Sequence, residues 1–398
     1  MKKILAVILA ALMLLSVAAC GGATTESGSG SVDGSAYADV KIGFIFLHDE
    51  NSTYDKNFID AANRAKEALG LKDEQVVIKV DIPESSVCYE TACELAEDGC
   101  NIIFADSFGH EPFMLQAAKE YPEVEFCHAT GTMAHPANQA NFHNAFASIY
   151  EGRFLAGVVA GLKLKEIGET KMGYVGALPY AEVKSGLTSF FLGAKSIVPE
   201  VTMDVIFTGS WYDESKEKEA AVSLIAGGAK LISQHADSMG APSACEEALI
   251  PNVCYNGSTI SAAPNTYLVS SYIDWQPYFE TIVKAVAEGK EIPADYCGTI
   301  ETGSVKLTAI NDKVVAEGTQ AKLDEVMAGL KDGSIKVFDT DTFTVNGAAL
   351  TSYMADVDSD DAFTPDTEAI KDGYFAESEF RSAPYFDVQI DGINFLSE

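Results

Sequence analysis

From Lys41 onward, short apolar runs alternate with amphipathic stretches along the chain. Four apolar runs in the first part have the length and composition of buried strands: 41–47, 76–82, 101–107 and 124–130. Three stretches between them have apolar residues at helical spacing: 57–70, 86–98 and 112–121. Because strands and helices alternate in units of this length, the pattern predicts a parallel sheet that is covered by helices on both faces.

The same alternation begins again after residue 150. The segment 151–164 is predicted to be a helix whose small residues permit close packing. Five further runs are predicted strands: 171–177, 202–209, 229–234, 251–257 and 266–271. Two successive sheets predict an α/β protein with two Rossmann-like lobes. We expect the N-terminal lobe at 40–147 with a returning segment near 272–292, and the C-terminal lobe at 148–271 with 293–398. Residues 336–339 are expected to pair as a strand, and 356–366 to form a loop.

Polar residues stand where two of the predicted strands end. Asp106 and Ser107 end a strand of the first lobe, and the sequence QHADS (234–238) ends one of the second. Ligands of open α/β sheets lie beyond the carboxyl ends of the strands, so these residues are predicted to face one cleft between the lobes. The alternatives are a solvated strand end and, for Asp237, the capping of a helix that begins near Pro242.

The first twenty residues differ from the rest of the chain. Two lysines precede an apolar run that ends at Leu15, an arrangement typical of a secretory signal peptide. The sequence VAAC (17–20) resembles the lipobox of bacterial lipoproteins, in which the cysteine is lipidated. A Gly/Ser-rich segment follows and predicts a flexible tether over 21–39. The alternative is a plain signal peptide in which Cys20 has no role.

Charge and cysteine content exclude several classes of function. The chain has 27 Lys and Arg residues against 59 Asp and Glu, a net charge of −32, and a field of this sign repels nucleic acid. The seven cysteines other than Cys20 are an odd number, which argues against a full disulfide framework, and no His pair stands at a zinc spacing beside them. We find no GxSxG, HExxH or P-loop motif, and no GxGxxG after the first strand. We therefore expect no enzymatic activity, no metal and no cofactor.

Five stretches stand in the order that one known family has. They are FADSFGHEP (104–112), ASIYEGRFLAGVVAG (147–161), GSWYDESKEKEAA (209–221), QHADS (234–238) and GSIKVFDT (333–340). Together they resemble the basic membrane protein family of lipoproteins, the substrate-binding components of ABC importers, over about Lys41 to Asp391. The resemblance implies a type I periplasmic-binding-protein fold, in which two α/β lobes joined by a hinge close over a small ligand. It also implies a monomer that has ABC permease subunits as partners.

The resemblance also implies a set of ligand contacts. Family members bind purine nucleosides or, in the branch with W-[FY]-D and Q-H-x-D-S stretches, a purine such as adenine; residues 211–213 and 234–238 are similar to that branch. A planar base favours aromatic faces and a few donors and acceptors at its edge. We therefore expect Trp211 to stack on the ligand and Asp237 to accept a hydrogen bond from it. His235, Asp106 and Ser107 are expected beside them. The alternative for Trp211 is a lid on the hydrophobic core.

The chain departs from the family at two places. The tryptophan of the usual G-W-T-Y-like stretch is absent from 50–54, so Tyr54 is expected to provide the second aromatic face, with Asn51 near it. The lysine that nucleoside-binding members place after the fifth strand of the second lobe is absent from 270–275, where Trp275 is the candidate contact. These departures favour a free base or another small polar solute over a nucleoside.

Resemblance and signal peptide together predict the function. We expect a lipid-anchored protein on the extracytoplasmic face of the cell membrane that captures a purine base or nucleoside for an ABC importer. A sensory lipoprotein that reports its ligand to a membrane partner is an alternative, as is a binder of another small polar solute. A nucleoside-processing enzyme is the least favoured class, because no nucleophile motif accompanies the pairs His48–Asp49 and His235–Asp237.

Overall fold

The computed structural model describes residues 34–357 and 365–397. The predicted signal peptide, Cys20 and most of the predicted tether lie outside the described residues. Residues Gly34–Tyr37 form a short 3-10 helix, and the side-chain amide of Gln75 donates to the carbonyl oxygens of Tyr37 and Val40, both at 2.7 Å. The end of the predicted tether is therefore part of the fold, which begins at Gly34 rather than near Val40.

The described residues form alternating strands and helices. The strands are β1 (Ile42–Ile45), β2 (Val76–Lys79), β3 (Ile102–Ala105), β4 (Glu125–Ala129), β5 (Phe142–Ala147), β6 (Lys171–Gly176), β7 (Thr202–Phe207), β8 (Ile232–His235), β9 (Asn252–Tyr255), β10 (Tyr267–Ile273), β11 (Asp295–Gly298), β12 (Val305–Leu307), β13 (Met354–Ala355), β14 (Thr367–Glu368), β15 (Ile370–Lys371), β16 (Tyr374–Phe375) and β17 (Ile393–Ser397). The helices are α1 (Thr53–Leu69), α2 (Ser86–Glu97), α3 (Glu111–Glu120), α4 (Ala134–Ala137), α5 (Ile149–Ile167), α6 (Ala181–Lys195), α7 (Glu214–Ala226), α8 (Gly240–Ala248), α9 (Gln276–Glu288) and α10 (Thr319–Lys331).

The first lobe is built on a six-stranded sheet. Its strand order is β2–β1–β3–β4–β5–β11, and every pair is parallel. Strands β1 and β3 are buried along their whole length, as the uninterrupted apolar runs predict for a parallel sheet covered on both faces. Strand β11 corrects the predicted boundaries: Asp295–Gly298 pairs with β5 of the first lobe, although the sequence predicts 293–398 to belong to the second.

The second lobe is built on a seven-stranded sheet. Its order is β12–β10–β9–β8–β6–β7–β17, parallel except where β12 pairs with β10. The C-terminal strand β17 adds to the free edge of β7, so the end of the chain belongs to this sheet. The strand predicted over 336–339 is wrong: this segment is a turn in which Asp339 makes one isolated bridge to Tyr374. Most of the predicted loop 356–366 lies outside the described residues.

The chain passes between the two sheets three times. The crossings lie between β5 and α5, between β10 and α9, and between β11 and β12. Helix α9 packs against α1 and β3 of the first lobe, as the predicted returning segment requires. Three adjacent crossings make a hinge, which agrees with the architecture that the resemblance implies.

Close packing of α5 on α6 fixes the position of one wall of the second lobe. A β-carbon at Gly157 would overlap the carbonyl oxygen of Phe190, and one at Gly193 would overlap the carbonyl oxygen of Phe154. The small residues predicted for this helix are therefore needed for contact between the two backbones.

The seven cysteines of the described residues are all free thiols. No helix in the described ranges is long and apolar enough to cross a membrane.

A candidate ligand site between the two lobes

Loops at the carboxyl ends of both sheets enclose one cleft. Its empty volume, with the open mouth included, is about 380 Å³. The first lobe provides Leu47, His48, Tyr54, Asp55, Ser107, Phe108 and Thr130. The second lobe provides Glu182, Trp211, His235, Asp237 and Asn256. All of these residues lie at the carboxyl end of a strand or in the first turn of the helix that follows it, as expected for open α/β sheets.

The start of α1 holds the loop that follows β1. Ser52 caps the helix by accepting the N–H of Asp55. The carboxylate of Asp55 in turn accepts the backbone N–H of His48 at 2.7 Å and lies 3.3 Å from its Nδ1. Burial acts to raise the pKa of Asp55, but the hydrogen bonds from His48 and Ser52 outweigh burial and lower it. Burial likewise acts to lower the pKa of His48, and Asp55 reverses this and raises it. The pair therefore favours an ionised carboxylate beside a protonated imidazole.

Two loops of the second lobe are joined by their backbones. The N–H of Asp237 donates to the carbonyl oxygen of Trp211 at 3.0 Å. Asp213 caps α7 by accepting the N–H of Lys216, and the buried carboxylate of Glu217 accepts the N–H of Ser238 at 3.1 Å. Trp211 and Asp237 are therefore held next to each other by the start of α7.

Asp237 does not cap a helix. Helix α8 begins after Met239 and has no side-chain cap, whereas Asp237 Oδ1 accepts the side-chain amide of Asn256 at 3.1 Å. Burial, and then the charges of Glu217 and Asp55, raise the pKa of Asp237 well above its usual value. A carboxyl group of this kind donates a hydrogen bond in its neutral form and accepts in its ionised form. The helix-capping alternative for Asp237 is therefore wrong.

Aromatic side chains of both lobes face the cleft. Trp211 lies 6.0 Å from Tyr180 between ring centroids, and Tyr180 lies 5.4 Å from Phe108 of the first lobe. The hydroxyl of Tyr54 donates to the carbonyl oxygen of Asp106 at 2.8 Å, which orients its ring beside the loop after β3. Trp211 also packs against the core. The two interpretations of Trp211 are thus compatible, since one face covers the core and the residue still lines the cleft.

The charges of the cleft are acidic. Asp55, Glu182 and Asp237 line it, and none of its lining residues, all of which the structure describes, is Lys or Arg. Ser107 donates its hydroxyl proton to Glu84 at 2.6 Å, so its oxygen remains free to accept. Such a lining disfavours an anionic ligand and favours one that is neutral or cationic and carries N–H donors. Among the described residues, no group of three or more His, Cys, Asp or Glu is arranged to hold a metal ion.

The structure places three predicted site residues away from the cleft surface. Trp275 is 1% exposed and stacks on Phe58 in the first-lobe core with a centroid distance of 4.5 Å. Asn51 is exposed and donates to the carboxylate of Asp49. Asp106 lies behind the cleft wall, fully buried, with Oδ1 accepting the N–H of Leu47 at 3.2 Å. These three residues therefore do not line the cleft, which corrects the prediction that they contact the ligand directly.

Seven lining residues were missed by the sequence analysis: Leu47, His48, Asp55, Phe108, Thr130, Glu182 and Asn256. Most of them can be found by the same rule, that ligand contacts lie at strand ends, if it is applied to every predicted strand and not only to the two strands that end in polar clusters. Glu182 lies in the first turn of α6 after a loop, and apolar periodicity carries no sign of its orientation.

Comparison with known proteins agrees with this architecture. A family model described as "ABC transporter substrate-binding protein PnrA-like" matches residues 44–339. The chain belongs to this family. Proteins of the family bind small-molecule ligands outside the cytoplasm and interact with transporter permeases, and the family is not a class of enzymes. The resemblance found in the sequence is confirmed.

Individual relatives differ in what they are named for. A purine-binding protein of Brucella abortus is 32% identical over 77% of this chain and 85% of its own length. A putative ABC transporter glucose-binding protein of Haloferax volcanii is 30% identical over 58% of this chain and 60% of its own. A nucleoside-binding protein of Lactococcus lactis is 26% identical over 60% of this chain and 66% of its own.

Solved structures support the predicted fold. An ABC transporter solute-binding protein from Conexibacter woesei superposes with a TM-score of 0.62 and covers 75% of this chain and 98% of its own, at 22% identity. The periplasmic-binding-protein fold with two α/β lobes is therefore confirmed.

Proposed function

We propose that this substrate-binding protein is a lipid-anchored component of an ABC importer and captures a purine base or nucleoside in the cleft between its lobes. The observation that carries the proposal is the lining of the cleft. Aromatic residues from both lobes, Tyr54, Phe108 and Trp211, surround hydrogen-bonding groups such as Asp237 and Asn256, and no lining residue is Lys or Arg. A flat, uncharged heterocycle with N–H donors satisfies such a surface.

Within this class, a free base fits the lining better than a nucleoside. Ribose hydroxyls need several polar partners, and much of the polar capacity of the cleft is already used: Asn256 donates to Asp237, and Ser107 donates to Glu84. The purine-binding relative from Brucella abortus supports the same ligand class. The acidic lining also makes a phosphorylated nucleotide an unfavourable ligand.

Identifying the bound molecule tests the proposal. The purified protein is denatured, the released small molecules are analysed by mass spectrometry, and the refolded protein is titrated by calorimetry with adenine, guanine, adenosine and inosine. We expect a released purine and heat from at least one of the four titrations, with the ligand recovered intact. Absence of heat with all four purines would refute the ligand assignment while leaving the family membership in place.

A second candidate ligand is a hexose, because one relative is named as a putative glucose-binding protein. Aromatic faces together with carboxylates also suit a sugar ring, whose apolar face stacks on aromatic side chains while its hydroxyls donate outward. Glucose is therefore included as a fifth titrant. Heat with glucose alone would favour this candidate over a purine.

A further inference from the structure

A buried arginine lies behind the second-lobe wall of the cleft. Arg153 of α5 is fully buried, and its Nη2 donates to the hydroxyl of Tyr174 and to the carbonyl oxygen of Gln234. Its Nε and Nη1 have no hydrogen-bond partner among the described residues. The guanidinium carbon lies 4.5 Å from the ring centroid of Tyr255, so a cation–π contact offsets part of the charge. A buried positive charge of this kind is expected to disfavour protonation of any ionisable group that lies beside it.

The polar group that borders Arg153 is the imidazole of His235. A β-carbon placed on Gly186 would lie 3.1 Å from His235 Nδ1 and 3.5 Å from Arg153 Nε. Both nitrogens therefore border the same small gap beside α6, which exists because residue 186 has no side chain. His235 Nδ1 has no hydrogen-bond partner among the described residues. The other ring nitrogen, Nε2, lies on a different side, 3.5 Å from Glu182 Oε1.

The two sides of the imidazole have opposite hydrogen-bonding properties. A guanidinium has only donors and stays protonated in proteins, and an ionised carboxylate only accepts. The positive charge of Arg153 near Nδ1 therefore disfavours a proton on that nitrogen, whereas Glu182 favours a proton on Nε2. We propose that Arg153 is a positioning residue that fixes His235 as the neutral tautomer protonated on Nε2, so that the second lobe presents an N–H donor to the ligand.

Groups from three elements act on the charge of this imidazole. Burial, and to a smaller extent the charge of Arg153 from α5, lower the pKa of His235, whereas Glu182 from α6 acts to raise it. Tyr255 at the end of β9 packs edge-on against the ring, with a centroid distance of 4.6 Å. A protonated imidazole would place a second positive charge beside the guanidinium. The neutral form is therefore favoured across the physiological range.

A fixed donor restricts the ligands that fit. The ligand must place an acceptor at His235, such as an unprotonated ring nitrogen, and a group that contacts the carboxyl of Asp237 close to it. This consequence rests on the proposed purine site. The protonation state of His235 does not rest on that site, because it is set by protein groups that are present without ligand.

Nuclear magnetic resonance of the ligand-free protein tests the proposal directly. Protein labelled with ¹⁵N-histidine is recorded between pH 5 and 8, and the signals of His235 are assigned by their loss in His235→Asn. We expect a neutral imidazole with the proton on Nε2 at pH 7, and protonation only at a lower pH than that of an ordinary histidine. A proton on Nδ1, or a charged imidazole at pH 7, would overturn the proposal.

Two variants separate positioning from mere packing. Arg153→Met removes the charge while Glu182 remains, so His235 is expected to become protonated at a higher pH than in the wild type. Arg153→Lys keeps a positive charge and is expected to keep His235 neutral. If Arg153→Met does not fold, Arg153→Gln, which removes the charge and keeps a hydrogen-bonding side chain, is expected to shift the protonation of His235 in the same direction. A folded Arg153→Met protein with an unchanged His235 spectrum would also overturn the proposal.

Calorimetry with adenine and its 1-, 3- and 7-deaza analogues tests the donor role. Each analogue replaces one ring acceptor by C–H, so one of them is expected to bind about 5- to 10-fold more weakly than adenine, and the difference is expected to disappear in His235→Phe. Equal affinity for all four compounds in the wild type would refute the donor role. Failure of all four to bind, together with absence of heat with guanine, adenosine and inosine, would refute the proposed ligand class instead, and the tautomer measurement would still decide the role of Arg153.

Discussion

The carbonyl oxygen of Asp237 accepts two hydrogen bonds from Thr53, one from the backbone N–H at 2.9 Å and one from the hydroxyl at 3.2 Å. Thr53 begins α1 of the first lobe, and Asp237 follows β8 of the second, so both bonds cross the cleft. Opening the lobes has to break them. Because the side chain of Asp237 lines the cleft, the segment that contacts the proposed ligand also holds the lobes together.

Thr53→Pro removes both donors and is expected to favour the open state. Thr53 occupies the first position of α1, where proline is well tolerated, and the extended backbone of Ser52 suits a following proline. Losing these bonds is expected to weaken ligand affinity about 2- to 10-fold, since one intramolecular hydrogen bond contributes roughly 0.5–1.5 kcal/mol. Calorimetry measures the affinity, and small-angle scattering measures the radius of gyration. Thr53→Val, which keeps the backbone donor, is the control, and equal affinity in both variants would contradict the role of the backbone bond.

Trp211→Ala is expected to weaken purine binding about tenfold to a hundredfold. Stacking of a base on one aromatic side chain contributes roughly 1–3 kcal/mol, and Trp211 lines the cleft from the second lobe. Trp211→Phe retains an aromatic face and is expected to recover most of the affinity. The measurement is calorimetric titration with adenine. If the alanine variant bound adenine as tightly as the wild type, Trp211 would be a core residue only.

The strand and helix pattern was largely predictable from the sequence, because burial on both faces of a parallel sheet produces apolar runs that periodicity detects. The position of His235 and Asp237 in the cleft was predictable from the same pattern, since the carboxyl ends of the strands of both lobes face the cleft in this fold. Strands β11 and β17 were not predictable. They are short edge strands whose partners lie about 150 and 190 residues away in sequence, and local pattern contains no information on such pairing.

Trp275 shows why the site was predicted only in part. It follows β10 as Trp211 follows β7, so a rule based on strand ends treats the two residues alike. The difference is tertiary: α9 begins at Gln276 and returns to the first lobe, which places the indole against Phe58. Arg153, in contrast, was not predictable as a residue that acts on the site. It lies inside an apolar helix, and its effect on His235 depends on contacts between α5 and α6 that the sequence does not reveal.

Trp275→Ala is expected to lower the free energy of unfolding by about 3–5 kcal/mol, the usual cost of truncating a large buried aromatic side chain. The reason is loss of packing against Phe58 and Phe279 in the first-lobe core. Urea denaturation measures the stability, and titration with adenine under native conditions measures the affinity. An affinity loss as large as that of Trp211→Ala, without a loss of stability, would mean that Trp275 contacts the ligand after all.

Cys20→Ser is expected to release the protein from membranes into the soluble fraction. The prediction rests on the lipobox-like sequence, and Cys20 lies outside the described residues. Cell fractionation followed by immunoblotting measures the distribution. Cys93→Ser, which changes a half-buried thiol of the first lobe, is the matched control and is expected to remain membrane-bound. A Cys20→Ser protein that stays with the membrane would contradict the lipid anchor.

Asp106→Asn is expected to make the protein more stable than the wild type at alkaline pH. Asp106 is fully buried, its Oδ2 has no hydrogen-bond partner among the described residues, and burial together with the charge of Asp55 raises its pKa well above the usual value. A carboxyl group whose pKa is higher in the folded state than the unfolded value of about 3.9 stabilises the fold at low pH. That stability is lost as the pH rises through the folded pKa, because ionisation is then easier in the unfolded chain.

Asparagine retains the oxygen that accepts the N–H of Leu47 and cannot ionise, so its contribution does not change with pH. The difference in the free energy of unfolding between variant and wild type is therefore expected to grow from pH 5 to pH 9. It should reach about 1–3 kcal/mol in favour of the variant, the cost of burying a polar group without a partner. Urea denaturation at several pH values measures it, with the exposed Asp341→Asn as control. A difference that stays constant with pH would show that Asp106 keeps the same charge in the folded and unfolded states.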